Sequence, residues 1–408
     1  MRSRYRWVIL GVGAAGAGAF SALRMGLPAL GPALRDAYGL SLPQIGFAFT
    51  AVAIGVMLTL VPWGVLTDRI GERPVMGAGL FGCAVALVFT AYAPGYGGLL
   101  VGLLVAGMLG ASSTGASGRA VMGWFRREER GFALGIRQMA LPLGGAAASV
   151  ALPQFVGAGG LRSAFLMLAG LCLTAAVAAV AFMRDAPPPD RPLPTVPAPP
   201  PTRDARLWRL GAAGALLVAA QASMLGFVVL FLHDARGVSP ALAAGALAAL
   251  QLLGAGMRIV AGRRSDREGV RIAPIRRIAL RNFAFLAVLA ALVEAPGWLL
   301  YPVLTCTAVS TMTWNGLAFT AAAEISGRAR AGTAMSLQNT ILAVGGALAP
   351  SAFGAVVEAT SWTSAFAALA LAPLLAVFVL RPLEGDEDAR LAERERRLTE
   401  LRLMEVSG

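Results

Sequence analysis

Apolar stretches long enough to span a bilayer recur twelve times along this chain, at roughly 7–34, 44–66, 75–93, 98–123, 132–152, 163–183, 208–232, 241–262, 278–294, 299–323, 333–356 and 363–381. A helix needs about 20 such residues to cross the hydrocarbon core. Lipid offers backbone polar groups no partners, so each stretch is predicted to close its hydrogen bonds internally, as a helix. Only 14% of the residues are charged, against roughly 25% in soluble domains, which excludes a water-soluble globular fold. Glycine and alanine crowd the runs, as in GVGAAGAGAF and GGAAAS. Small residues let helix backbones approach closely where lipid supplies no hydrophobic drive for association. The expected class is an all-α membrane protein.

MRSRYR at the start has the look of a signal-peptide head, but the apolar run behind it is too long for one and eleven more follow, so a retained first helix is expected. Cys83, Cys172 and Cys306 fall inside predicted spans and read as small core residues, with no disulfide framework. The net charge of +13 comes from arginine alone, for there is no lysine among the 35 basic residues. With both termini cytoplasmic, Arg35, Arg162 and Arg236 fall in outer loops and Arg24, Arg137 and Arg258 within spans, leaving 29 at the inner side or its helix ends. So large an excess is an orientation signal under the positive-inside rule, and nucleic acid is not needed to explain it.

The segment 184–207 contains nine prolines and seven charges, a composition that forms an extended, semi-rigid spacer. It separates six spans from six. The charged turn GVLTDRIGER (Gly64–Arg73) returns as GRRSDREGVR (Gly262–Arg271), with glycines, aspartates and arginines matched at an offset of 198. Asp36, Gly39 and Ser41 match Asp234, Gly237 and Ser239 at the same offset. The predicted organisation is a six-helix bundle at 1–183, a cytoplasmic linker at 184–207, a second six-helix bundle at 208–383 and a cytoplasmic tail at 384–408. A parallel repeat of this kind is an architecture of secondary transporters.

Gly64, Leu66, Asp68, Arg69, Gly71 and Arg73 resemble the signature loop between helices 2 and 3 of the major facilitator superfamily. The second copy (Asp266, Arg267, Gly269, Arg271) fits except that Arg264 replaces the leucine. The resemblance implies twelve transmembrane helices as two six-helix pseudo-repeats, rocking about a central site with these loops as gates. It also implies that Asp68 and Asp266 approach helix starts in the opposite half, near Gly332–Thr333 and Gly131–Phe132. A carboxylate at a helix N-terminus gains about 0.3–1 kcal/mol when exposed, so the pair would latch the inner gate.

No catalytic constellation, metal cluster or phosphate-cradling loop is present, and the single histidine, His233, is expected at a solvated helix end. No enzyme activity, cofactor or metal is implied. The informative groups are polar residues inside the membrane. A central arginine costs about 2.5–3.5 kcal/mol on an insertion scale, so Arg24, Arg137 and Arg258 are candidate ligand groups. All 22 carboxylates are expected in loops, tails or at span ends. Arginine without a carboxylate partner attracts anions and grips their oxygens as a fork. Gln138, Gln221, Gln251, Trp314, Asn315, Gln338 and Asn339 are the surrounding amide and aromatic candidates; Gln251 and Arg258, seven apart, share a helix face.

RIVAGRRSDR is similar to the eighth helix of nitrate and monocarboxylate carriers, and WFRREERGFALG to the helix 4–5 connection of organic-anion porters. The antiport signature of helix 5 is broken by Leu141, and Leu103 stands where many proton-coupled members carry arginine. The expected protein is a monomeric, multi-pass carrier in the cell membrane that moves a small anionic solute, an organic acid, with a proton or counter-anion left open as the coupled species. Efflux of drugs or amphiphiles is the alternative within the superfamily, and a transport-dead sensor the alternative outside it.

Overall fold

Proline and glycine sit at the joints of the apolar runs, and in the computed structural model the helices break at them. The structure describes residues 2–125, 130–184, 201–326 and 331–407, and all regular structure among these is helical. The proline-rich stretch at 185–200, within the expected linker, lies outside the described residues.

Helix α1 (Arg2–Gly26) stops just before Pro28, which has no N–H to continue the ladder; a 3-10 turn (Leu27–Leu30) and α2 (Gly31–Tyr38) carry the chain on. Gly39 closes α2 in the left-handed region, φ 62°, where glycine is favoured. Helix α3 (Leu42–Ile70) opens with a capping box in which Ser41 and Gln44 satisfy each other's backbone N–H. Then come α4 (Glu72–Ala91), α5 (Gly95–Gly110) and α6 (Ser112–Trp124). Helix α7 (Arg130–Phe182) has 53 residues, about 80 Å at 1.5 Å per residue, far beyond a hydrocarbon core of about 30 Å. It breaks at Gly159 and at Gly160, whose φ is 69°. The remainder is α8 (Ala205–Leu230) with a closing π turn, α9 (Pro240–Glu268), α10 (Ile272–Ala291), α11 (Gly297–Thr311), α12 (Asn315–Ser326), α13 (Ala331–Ala359) and α14 (Trp362–Ser407).

Nine helical segments among the described residues are long and apolar enough to cross a membrane. One of them, Ile136–Phe182, contains the Gly159–Gly160 break. Helix α10, with Arg276, Arg277 and Arg281, is not among the nine, and neither are α11 and α12, at 15 and 12 residues. Helix α14 runs on through Leu383, where a boundary between bundle and tail was expected.

Packing gathers the chain into two compact units, and the division passes through α8, α9, α13 and α14. The first comprises Met1–Pro194, Gln221–Ala255 and Gly346–Ala365. Within it α1 and α7 touch backbone to backbone: a Cβ on Gly144 would collide with the Gly18 carbonyl, as one on Gly107 would with Val52 between α5 and α3. The start of α3 is sealed against the far half of α13. Thr50 Oγ1 donates to the Ala347 carbonyl (2.6 Å), and the Leu42 N–H donates to Glu358 Oε2 (3.2 Å). Gly46 leaves room for the Pro350–Ser351 backbone. Arg35 pairs with Asp234, and Phe49, Phe227, Phe353 and Trp362 form a ring cluster beside them.

The second unit comprises Thr195–Ala220, Gly256–Gly345 and Phe366–Gly408. Its core is built on fully buried Trp314 with Leu210, Leu217, Ile275, Leu317 and Leu380. The turn from α9 to α10 pivots on Gly269 (φ 69°), as the turn from α3 to α4 in the first unit pivots on Gly71 (φ 91°). Glu387 of α14 caps α10, accepting from the N–H groups of Arg271 (2.7 Å), Ile272 (2.9 Å) and Ala273 (3.4 Å). That carboxylate satisfies donors every helix N-terminus leaves orphaned.

Candidate functional site: two arginines on a shared niche

Arg24 occupies the last turn of α1, where the freed carbonyls and the negative end of the helix dipole favour a cation. The break at Pro28 therefore creates the local field that tolerates this charge. Its guanidinium makes no hydrogen bond or ion pair with any described residue. Arg137, on α7, is only 7% exposed. It donates from Nε to Ser117 Oγ (2.9 Å), from Nη2 to the Thr114 carbonyl (2.7 Å) and from Nη1 to Gln138 Oε1 (3.1 Å). Every one of these acceptors is neutral, so its charge meets no counter-charge among the described residues.

Both guanidinium groups line one niche with Phe20, Ser21, Thr114 and Leu141. Its volume of about 10 Å³ has room for roughly one water. Ser21 Oγ is spent on the Leu141 carbonyl (2.8 Å), tying α1 to α7 at the niche. Among the described residues no carboxylate pairs with Arg24 or Arg137, so the wall offers two cations and several neutral donors. An anion is the chemistry that completes it.

The other predicted residues divide between the units. In the first, Gln138 is drawn onto Arg137, and Gln221 is buried. Gln251 is buried too and donates from Nε2 to the Met25 carbonyl and to Ser149 Oγ, both at 3.2 Å. In the second unit, Arg258 is half-buried and donates from Nε to the Met312 carbonyl (3.2 Å). Trp314 and Gln338 are buried, with the indole N–H and both amide atoms of Gln338 unpartnered. Asn315 opens α12, and Asn339 is exposed.

Among the gating residues, Arg73 donates to the Val180 carbonyl (2.8 Å), and Arg271 pairs with Glu324 (3.0 Å). Arg69 and Arg267 are exposed. The side chains of Asp68 and Asp266, like those of Gly131, Phe132 and Thr333 at the expected latch points, lie outside the described residues.

Sequence reasoning missed Arg281. The span was expected to begin at 278, which would place Arg281 at the membrane surface. Helix α10 begins at Ile272 instead, so Arg281 lies nine residues in, about 13 Å along the axis. The capping carboxylate that extends α10 backwards, Glu387, comes from a helix more than a hundred residues away, which no local pattern discloses.

The family model described as Major Facilitator Superfamily matches residues 12–350. The chain belongs to the major facilitator superfamily. Among curated relatives in the superfamily, it is 35% identical over 356 residues to the uncharacterized MFS-type transporter Rv2994 of Mycobacterium tuberculosis, covering 86% of this chain and 79% of that protein. A shorter match, 30% identical over 167 residues, links 40% of the chain to 38% of a probable sulfoacetate transporter, SauU, of Cupriavidus necator. The fold is similar to the crystal structure of a bacterial homolog of the human lysosomal transporter Spinster, in an inward-facing and unoccupied conformation. There the TM-score is 0.73 at 16% identity, over 93% of this chain and 94% of that one. Superfamily membership makes this chain a multi-pass membrane transporter rather than an enzyme.

Proposed function

We propose that the protein is a secondary transporter carrying a small anionic solute, an organic acid, across the cell membrane by alternating access. Twelve helices in two six-helix pseudo-repeats, with both termini cytoplasmic, are the architecture this reading uses. The carrying observation is Arg24: a guanidinium with no partner among the described residues, on the same niche as Arg137. A helix bundle that leaves a cation unpaired inside a membrane keeps it for something that moves. Arg258 is a third proposed cation, with only its Nε spent among the described residues. Gln138, Gln251, Trp314, Asn315, Gln338 and Asn339 complete the proposed solute-contacting set, and the Asp68 and Asp266 turns act as gates. The match to a probable sulfoacetate transporter supports an anion, as does the absence of a carboxylate partner for Arg24, Arg137 or Arg258 among the described residues. A co-transported proton would then ride on the solute or be replaced by a counter-anion.

The test is counterflow in proteoliposomes with small organic anions, inorganic anions and lipophilic cations in one panel. Flux confined to anions, and lost in Arg24→Ala and Arg137→Ala, is the expected result. Flux of lipophilic cations indifferent to both changes would overturn the reading and leave an efflux carrier with structural arginines.

A further inference from the structure

Arg281 enters none of the functions above, yet its setting is unusual. It is exposed on α10, about 13 Å beyond the helix start, and no carboxylate among the described residues pairs with it. Its Nε donates to Ser310 Oγ (2.9 Å) and its Nη2 to Thr313 Oγ1 (3.3 Å). Ser310 Oγ in turn donates to Asn282 Oδ1 (2.5 Å), and Thr313 Oγ1 donates to the Ser310 carbonyl (2.8 Å). Asn282, fully buried, keeps an unpartnered Nδ2 at the end of this chain.

These acceptors sit at the interruption between α11 and α12, where Met312, Thr313 and Trp314 leave helical form: Ser310 lies in the last turn of α11 and Thr313 within the break. In an unbroken helix the Met312 carbonyl would accept from the N–H of Gly316. Here it accepts from Arg258 instead, whose side chain lies alongside Gly316. Two arginines therefore hold the same interruption. Arg258 takes the carbonyl the break sets free, and Arg281 clamps one hydroxyl just before it and one within it. Interrupted helices in transporters are where polar backbone and solute meet. Two hydroxyls alone are a weak reason to keep a cation in hydrocarbon.

We propose that Arg281 is a positioning residue for solute recognition: by clamping Ser310 and Thr313 it fixes the Met312–Trp314 break, which sets where Arg258 rests and where α12 begins. The inference rests on the proposed role of Arg258 in binding the anion. Without the clamp the segment 310–316 can close its own helical bonds. Met312 then no longer offers Arg258 a resting place, and its two terminal amino groups are no longer held toward an incoming anion.

The experiment is counterflow of the transported anion, with KM and maximal rate measured for Arg281→Ala, Arg258→Ala and the double variant, and folding checked by thermal melting. Arg281→Ala should raise KM about tenfold, the equivalent of losing one charge-assisted bond, and add nothing further in the Arg258→Ala background. Arg281→Lys, which reaches one hydroxyl but not two, should recover part of the affinity. If Arg281→Ala does not fold, Ser310→Ala with Thr313→Val removes the same clamp with the charge intact and should raise KM likewise. A KM unchanged by removing the clamp, or effects that simply add to those of Arg258→Ala, would overturn the proposal while leaving the anion reading in place. An Arg258→Ala variant with unaltered KM for every anion would overturn the proposed role of Arg258 and this inference with it, while the Arg24 and Arg137 test of the anion reading stands apart.

Discussion

Gln251 Nε2 stands 3.2 Å from the carbonyl of Met25, the residue after Arg24. The same amide nitrogen reaches Ser149 Oγ on α7 at 3.2 Å, and a Cβ on Gly145 would strike the Gln251 carboxamide. One side chain of α9 thus spans the two helices that carry the arginine pair. Its Oε1 is buried without a partner, so the contact is bought with an unsatisfied acceptor. Gln251→Leu removes two bonds and one orphaned oxygen together, and the effect on melting should stay within about 1 kcal/mol.

Arg24 and Arg137 should separate in stability while agreeing in transport. Arg24 makes no bond to any described residue, so Arg24→Gln should leave the melting temperature unchanged or higher. Arg137→Gln removes the donors to Ser117 Oγ and the Thr114 carbonyl and should cost about 1–3 kcal/mol. Anion counterflow should fall at least tenfold in both, a loss of about 1.4 kcal/mol or more. Melting curves and flux on the same preparations decide it.

Gly144→Val should be among the most damaging single changes in the first unit. The added side chain has nowhere to go against the Gly18 backbone, and overpacking of this kind costs about 1–3 kcal/mol. Gly170→Val, at a position where a Cβ meets nothing within 4 Å, is the control that should melt like the parent.

Glu387→Ala removes the acceptor for three N–H groups at the start of α10. A lost N-terminal cap costs about 0.5–2 kcal/mol. Hydrogen exchange should rise first at 271–275, and truncation after residue 386 should reproduce it.

Asp68→Asn should shift the protein toward the inward-open state if the signature turns act as latches. Accessibility labelling at the cytoplasmic mouth should then increase; labelling equal to the parent removes the latch from the mechanism.

How much of this could be read from the chain itself depends on the range of the force responsible. The helical class, the break after Arg24 and the special backbone at Gly71 and Gly269 follow from residues within a few positions of each feature, and all are visible in the sequence. Arg24 and Arg137 were identified one by one from the cost of burying charge. Their convergence on one niche rests on Gly18 and Gly144, whose mutual contact is a fact of packing between distant segments. Gln251 and Arg258 share a helix face, which suggested common work. Instead α9 passes from one compact unit to the other between Ala255 and Gly256, so a common face did not mean common partners. Arg281 escaped notice because the onset of α10 is set by Glu387, a tertiary contact.

The close approach of Gly18 and Gly144 has an electrical consequence. It binds α1 and α7 into one rigid piece, so Arg24 and Arg137 travel together as a fixed double charge. On the proposed reading, a monovalent solute leaves one positive charge on the loaded pair, whereas a divalent one neutralises it. A charge carried across the full membrane field is worth about 2.3 kcal/mol per 100 mV. The valence of the cargo would then set the charge this pair contributes to the loaded carrier in the membrane field, a selectivity written by two residues with no side chain at all.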